Sequence, residues 1–269
     1  MTDGLFDDTA VIRRVVREGV LLAGGGCASI LQIAHPGVAQ GVADHSSYAE
    51  RPLDRLKNTM QYVYGVVFGT EQEALLISRA VYGMHTRVTG PGYSANDPDL
   101  QVWVNATLFH TATRIYQEIF GPLTDVEADA CYQQYAVLAT SIGCPAQKWP
   151  ENRREFAQYW NRTVASLVLS QAGQEIAHEL LHPRNLPLAL RSASPVNRFV
   201  TVGLLPDHVR RQLGRPWSPR KEQILRAGLR AGSVIYPRLP LAVRQAPKTY
   251  YLGALRKQVA RRRPATPVS

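Results

Sequence analysis

Between Thr9 and Pro183, apolar positions return mostly at spacings of three and four, and short Gly/Pro breaks punctuate them. No Val/Ile alternation of period two persists, so the pattern predicts helices rather than strands. Asp8 or Thr9 can cap a first helix running toward Glu18. An apolar segment from Val20 ends at His35-Pro36, where the residue before proline resists the α region. A third helix is predicted from Pro52 to Phe68, stopping at Gly69. Thr70 opens the next, with Glu73 three residues on as in a capping box, and this helix runs past His85 toward Val88. Asn96-Asp97-Pro98 starts a helix reaching Phe120, and Thr124 with Glu127 starts another toward Thr140. The expected fold class is all-α, a single globular helical domain over residues 9–183, globin-like in its helix packing.

Charge changes the picture beyond that point. Residues 1–183 carry 13 basic and 19 acidic side chains, whereas residues 184–269 carry 18 basic and only Asp207 and Glu222 as acids. The same third holds 10 of the 18 prolines, among them Pro187, Pro195, Pro206, Pro216 and Pro219. It reads as a Pro-rich basic C-terminal extension of short helices and loops laid on or beside the body, with a loose tail over 258–269. Such a face suits an anionic partner, and peripheral contact with an anionic membrane is the expectation. Nucleic acid is disfavoured, because no base-stacking aromatic motif or metal finger accompanies the charge.

From Gly19 to Ala43 no residue is charged, a length that can span a bilayer. Six glycines, Gln32, His35, Gln40 and the break at Pro36 fit a segment buried in protein better than one facing lipid. The start, MTDGLFDDTAVIRR, carries acids where a signal peptide carries positive charge. Cys27, Cys131 and Cys144 form no C-x-x-C pair, which points to reduced thiols rather than a disulfide frame or cysteine cage. A cytoplasmic protein is expected.

No H-E-x-x-H, G-x-S-x-G, Walker loop or G-x-G-x-x-G is present, and Gly24-Gly25-Gly26 reads as close packing against a helix or a flat ligand. His178 and His182, at i and i+4, share a helical face that can hold a metal or simply face solvent. Arg55 and Thr59 likewise share a face, and Arg55 can also pair with Asp54 or Glu50. Val81, His85 and Val88 set one imidazole on an apolar stripe. That is the ordinary position of a core histidine, and also the presentation that haem iron needs. His110, on the Trp103 helix, is the rival ligand.

At these residues the chain resembles the MpaB-type oxygenase family, which includes latex-clearing proteins (rubber oxygenases). The matching blocks are Leu31-Gln32-Ile33-Ala34-His35-Pro36-Gly37-Val38 with Asp44-His45-Ser46, then Arg55-x-x-x-Thr59 and Val66-Val67-Phe68-Gly69-Thr70. Met84-His85-Thr86-Arg87-Val88-x-Gly90 and Tyr93-Ser94-Ala95-Asn96-Asp97-Pro98 before Trp103-Val104 complete the series, in family order over about residues 18–145.

The resemblance implies an all-helical fold around a haem pocket, non-covalent b-type haem, dioxygen as co-substrate and oxygenase activity on apolar alkene or isoprenoid-like chains. It carries the iron ligand to His85, and the functional arginine and threonine to Arg55 and Thr59. His35 and His45, with Gln32, are nearby polar candidates toward the cofactor. Val63, Val66, Val67, Phe68, Val81 and Val88 are candidate apolar walls. In latex-clearing proteins a lysine just before the threonine can occupy the distal position. Asn58 stands there in this chain, and Lys57 lies about 100° away round the helix. The departure speaks against an amine-capped iron and against polyisoprene as substrate. A haem carrier or sensor without turnover, and a protein acting through its basic third, are the alternatives.

Overall fold

The computed structural model describes residues 3–45, 52–183 and 192–262. The fold is all-α: among the described residues there are 14 helices and one two-stranded sheet. The first helices are α1 (Val11–Val16), a 3₁₀ turn (Gly19–Gly24), α2 (Gly25–Ile33), α3 (Pro36–His45), α4 (Pro52–Phe68) and α5 (Glu71–His85). The hairpin β1 (Thr89–Gly90) and β2 (Tyr93–Ser94) precedes α6 (Pro98–Phe120), α7 (Asp125–Thr140), α8 (Arg153–Ser166) and α9 (Gln171–Leu181). The basic third supplies α10 (Ser194–Leu204), α11 (Asp207–Gln212), α12 (Pro219–Ile235), α13 (Leu241–Arg244) and α14 (Ala246–Arg262).

The central element is α6. Asp97 caps it and Pro98 opens its first turn, where a missing N–H costs nothing. It packs against α2, α7, α12 and the 3₁₀ turn, burying Val102, Trp103, Ala106, Phe109, Ile115 and Ile119. Thr70 with Glu73 and Thr124 with Glu127 form complete capping boxes at the starts of α5 and α7. Two expectations are corrected, and one helix is added. Neither Asp8 nor Thr9 caps the first helix: the Asp7 carboxylate accepts from the Thr9 amide and hydroxyl, and α1 starts at Val11 without a side-chain cap. The helix of Glu71 stops at His85, before the hairpin, and residues 36–45 form a helix that the glycine-diluted pattern hides.

The basic third is integrated with the body. Leu252 and Leu255 of α14 are buried, Tyr251 stacks on Tyr64 of α4, and Arg256 pairs with Glu73. Residues 258–262 continue α14, while 263–269 lie outside the described residues. Glu18 is buried between Arg17 and Arg244, a clamp from the N-terminal segment to α13. Among the described residues no single helix is long and apolar enough to cross a membrane; Gly19–Ile33 and Pro36–His45 pass together only as a pair bent by 102°.

Candidate functional site

A cavity of about 440 Å³ opens between α3, α4, α5, the hairpin, α6 and α7. Its size lies in the ~300–1,000 Å³ range of small-molecule and cofactor sites. Arg55, Thr59, His45 and His85 all line it, so the structure brings four of the sequence-predicted residues around one space. Asn58 lines it too, and Lys57 is exposed outside it. Of the candidate walls, Val81 and Val88 line the cavity, whereas Val63, Val66 and Val67 are buried in the core. Val38, Val42, Leu100, Val104, Leu108 and Ile142 are among the residues that supply further apolar surface.

His85 ends α5 and is half-buried, with its buried Nδ1 lacking a partner. Burial first, and the neighbouring Arg55 charge second, hold its pKa below the ordinary histidine value, so the imidazole is neutral at pH 7. Across from it, Arg55 donates to Gln32 Oε1 (3.1 Å), and Gln32 Nε2 donates to Thr107 Oγ1 (3.0 Å). The Thr107 hydroxyl donates in turn to the Val104 carbonyl (2.7 Å), so the chain of donors is anchored in α6. Gln32 is buried; its two ends are assigned by these neighbours.

His45 stands at the rim. Its Nε2 lies 3.3 Å from the Thr89 carbonyl and 3.1 Å from the Tyr93 hydroxyl, which donates to Asp44 Oδ2 (2.6 Å). That bond to Asp44 raises the Tyr93 pKa to about 12. The cluster ties the end of α3 to the hairpin that closes one side of the cavity. His35 sits at the α2–α3 break and is not among the lining residues; its Nδ1 is buried without a partner and burial lowers its pKa. His110 faces a different cavity from His85. His182 has Nδ1 3.1 Å from the His178 carbonyl and Nε2 3.2 Å from Arg215, and no group of three His, Cys, Asp or Glu gathers among the described residues.

Sequence reasoning missed Gln101 and Asn105. Both are buried on the cavity side of α6, each with its amide oxygen unpartnered and its nitrogen spent on backbone carbonyls of Ile142 and Tyr135. Their i, i+4 spacing within an otherwise apolar face is the signal that could have found them.

A family model described as "ER-bound oxygenase mpaB/B'/Rubber oxygenase, catalytic domain" matches residues 12–233, a span that contains this cavity. The chain belongs to that family. Two curated proteins are similar to this chain in sequence. These uncharacterised proteins, from Mycobacterium bovis and Mycobacterium tuberculosis, are each 33% identical over 204 residues, covering 72% of this chain and 80% of the relative. No solved structure matches. As in the family, the chain carries an oxygenase catalytic domain.

The residues present fit the haem that the family resemblance implies. A half-buried, neutral imidazole whose buried Nδ1 has no hydrogen-bond partner among the described residues stands in a largely apolar cavity, and a guanidinium shares that cavity.

Proposed function

We propose that this chain is a b-type haem-dependent oxygenase that uses dioxygen on an apolar alkene or isoprenoid-like substrate, with oxidative cleavage of a C=C bond as the reaction. The observation that carries the reading is the convergence of His85, Arg55 and Thr59 on one apolar-walled cavity. Haem, when bound, supplies the activation of dioxygen. His85 would hold the iron, its lowered pKa keeping the ring neutral so that one of its two nitrogens offers a lone pair for ligation. Arg55, steadied by Gln32, would meet a propionate as a charge-assisted pair, and Thr59 would offer a hydroxyl on the same helix face. Valine and leucine walls exclude water and accept a hydrocarbon chain. Cleavage balances without an external reductant: the C=C bond breaks and each carbon takes one oxygen atom of O₂ as a carbonyl.

The test is an absorption spectrum of protein expressed with haem precursor, as isolated and after dithionite reduction. A Soret band that disappears in His85→Ala is expected; full haem content in that variant would overturn the ligand assignment. Oxygen uptake on adding an alkene then separates turnover from mere haem carriage.

We also infer a peripheral contact with anionic membranes through residues 234–250. Val234, Ile235, Leu239, Leu241, Val243 and Tyr250 are all exposed there, Ile235 at 61% and Tyr250 at 68%. This apolar rim lies in the third of the chain where bases outnumber acids 18 to 2, the combination that interfacial insertion uses. Co-sedimentation with phosphatidylserine vesicles, weakened by salt and by Ile235→Ser, is expected. Equal binding to neutral vesicles, or none, would remove the idea.

A further inference from the structure

A second cavity, of about 310 Å³, lies where the body and the basic third meet. The helix α6 serves both spaces: Gln101, Asn105 and Leu108 face the first, and His110, Thr111 and Arg114 face the second. From the body, Cys27 and Trp160 complete the wall; from the basic third come Gly203–Asp207, Arg210 and Glu222. Unlike the first cavity, this one is lined largely by polar groups.

Its cations have hydrogen-bonding capacity to spare. Arg114 donates one Nη1 bond to the Leu204 carbonyl (2.9 Å) and makes no ion pair among the described residues. Arg210, whose side chain is 11% exposed, donates to the Gly203 carbonyl (3.2 Å) and to Asp207, yet its Nε is buried without a partner. The Thr111 hydroxyl is buried and unpartnered as well. The two carboxylates are already engaged. Glu222 accepts from Trp217 Nε1 (2.9 Å) and Arg226 Nε (2.8 Å), while Asp207 is mostly exposed and takes the Arg210 bond. His110 is pinned by stacking on Trp160, with ring centroids 3.9 Å apart. Burial, then the Arg114 charge, holds it to about 4, so it adds no charge of its own at neutral pH.

We propose that this cavity is a binding site for a small oxyanion, a carboxylate or a phosphate group, held by Arg114 and Arg210 with the Thr111 hydroxyl as a further donor. A guanidinium matches both anions bidentately, and the buried Arg210 Nε and Thr111 hydroxyl are left unmet until a ligand takes them. The site belongs to no step of the oxygenase reading. It joins the two differently charged parts of the chain, so occupancy would also strengthen their contact.

Calorimetric titration of the full chain at constant ionic strength, with inorganic phosphate and separately with acetate, tests it. Saturable one-to-one binding of either ion is expected, and which one binds names the class. Arg114→Gln should weaken it about tenfold without lowering the melting temperature, the scale of one lost charge-assisted bond. Thr111→Val should weaken it severalfold, and Lys57→Gln, which removes the same charge elsewhere, should leave it unchanged. No saturable binding of either ion up to ~10 mM, or equal affinity in Arg114→Gln, would overturn the proposal.

Discussion

At the scale of single residues, the neutral imidazoles set how the protein answers acid. His110 titrates near 4 in the folded chain against 6.5 for a free histidine, chiefly because burial disfavours the charged ring. Between those two values the unfolded chain binds a proton that the native state refuses. Stability therefore falls as pH drops from about 6.5 toward 4, by about 3 kcal/mol at full extent. His35 and His85 shift in the same direction, so they add to the slope. Urea unfolding across that window should show the loss, and His110→Phe should flatten part of it; an unchanged slope in that variant would assign the effect elsewhere. His85 was legible in the sequence as an imidazole on an apolar stripe, and Arg55 and Thr59 as a shared face. What joins them was not. Gln32 reaches Arg55 across 23 residues and Thr107 across 75, and no local spacing encodes either distance.

Between helices, the glycine triplet does what a Cβ would prevent. A Cβ on Gly24 would meet Thr111 Cγ2 at 2.5 Å, and one on Gly26 would meet Thr201 Oγ1 at 2.3 Å. The 3₁₀ turn and α2 thus lie close against α6 and α10 because these positions carry no side chain. Gly24→Ala should destabilise by about 1–3 kcal/mol, the usual range for overpacking. Thr111→Ser removes the clashing methyl and keeps the hydroxyl, so the double variant should recover much of that loss in urea denaturation; additive losses would refute the contact. Elements with both a boundary signal and a clear period were readable in advance: α4 from Pro52 to Phe68, α6 from its Asp97-Pro98 start, and the two capping boxes. The helix α3 was not, because Gly37, Gln40 and Gly41 dilute its apolar face, which is defined by packing on α2, α9 and the hairpin.

Across the whole molecule, the strongly basic third could be held to the acidic body by charge or by burial. The contacts favour burial. Among the described residues two ion pairs cross from α13 and α14 to the body, Arg244 with Glu18 and Arg256 with Glu73. The second is exposed on the arginine side and is worth about 1 kcal/mol or less. Leu255, by contrast, is 2% exposed and approaches α4 so closely that a Cβ on Gly65 would lie 2.7 Å from its Cδ2. Leu255→Ala should therefore cost about 2–5 kcal/mol, Arg256→Gln under about 1, and only the latter loss should vanish in high salt. Arg244→Met belongs with the leucine rather than with the surface pair. Its partner Glu18 is 2% exposed, so the carboxylate left behind keeps Arg17 alone as an ion-pair partner among the described residues, and the expected loss is about 2–4 kcal/mol with little salt dependence. Because α14 braces the helix that carries Arg55 and Thr59, Leu255→Ala should also lower haem occupancy in the reading proposed above. Arg256→Gln should not. Equal salt sensitivity in all three variants would mean that the basic third is held by its charge after all.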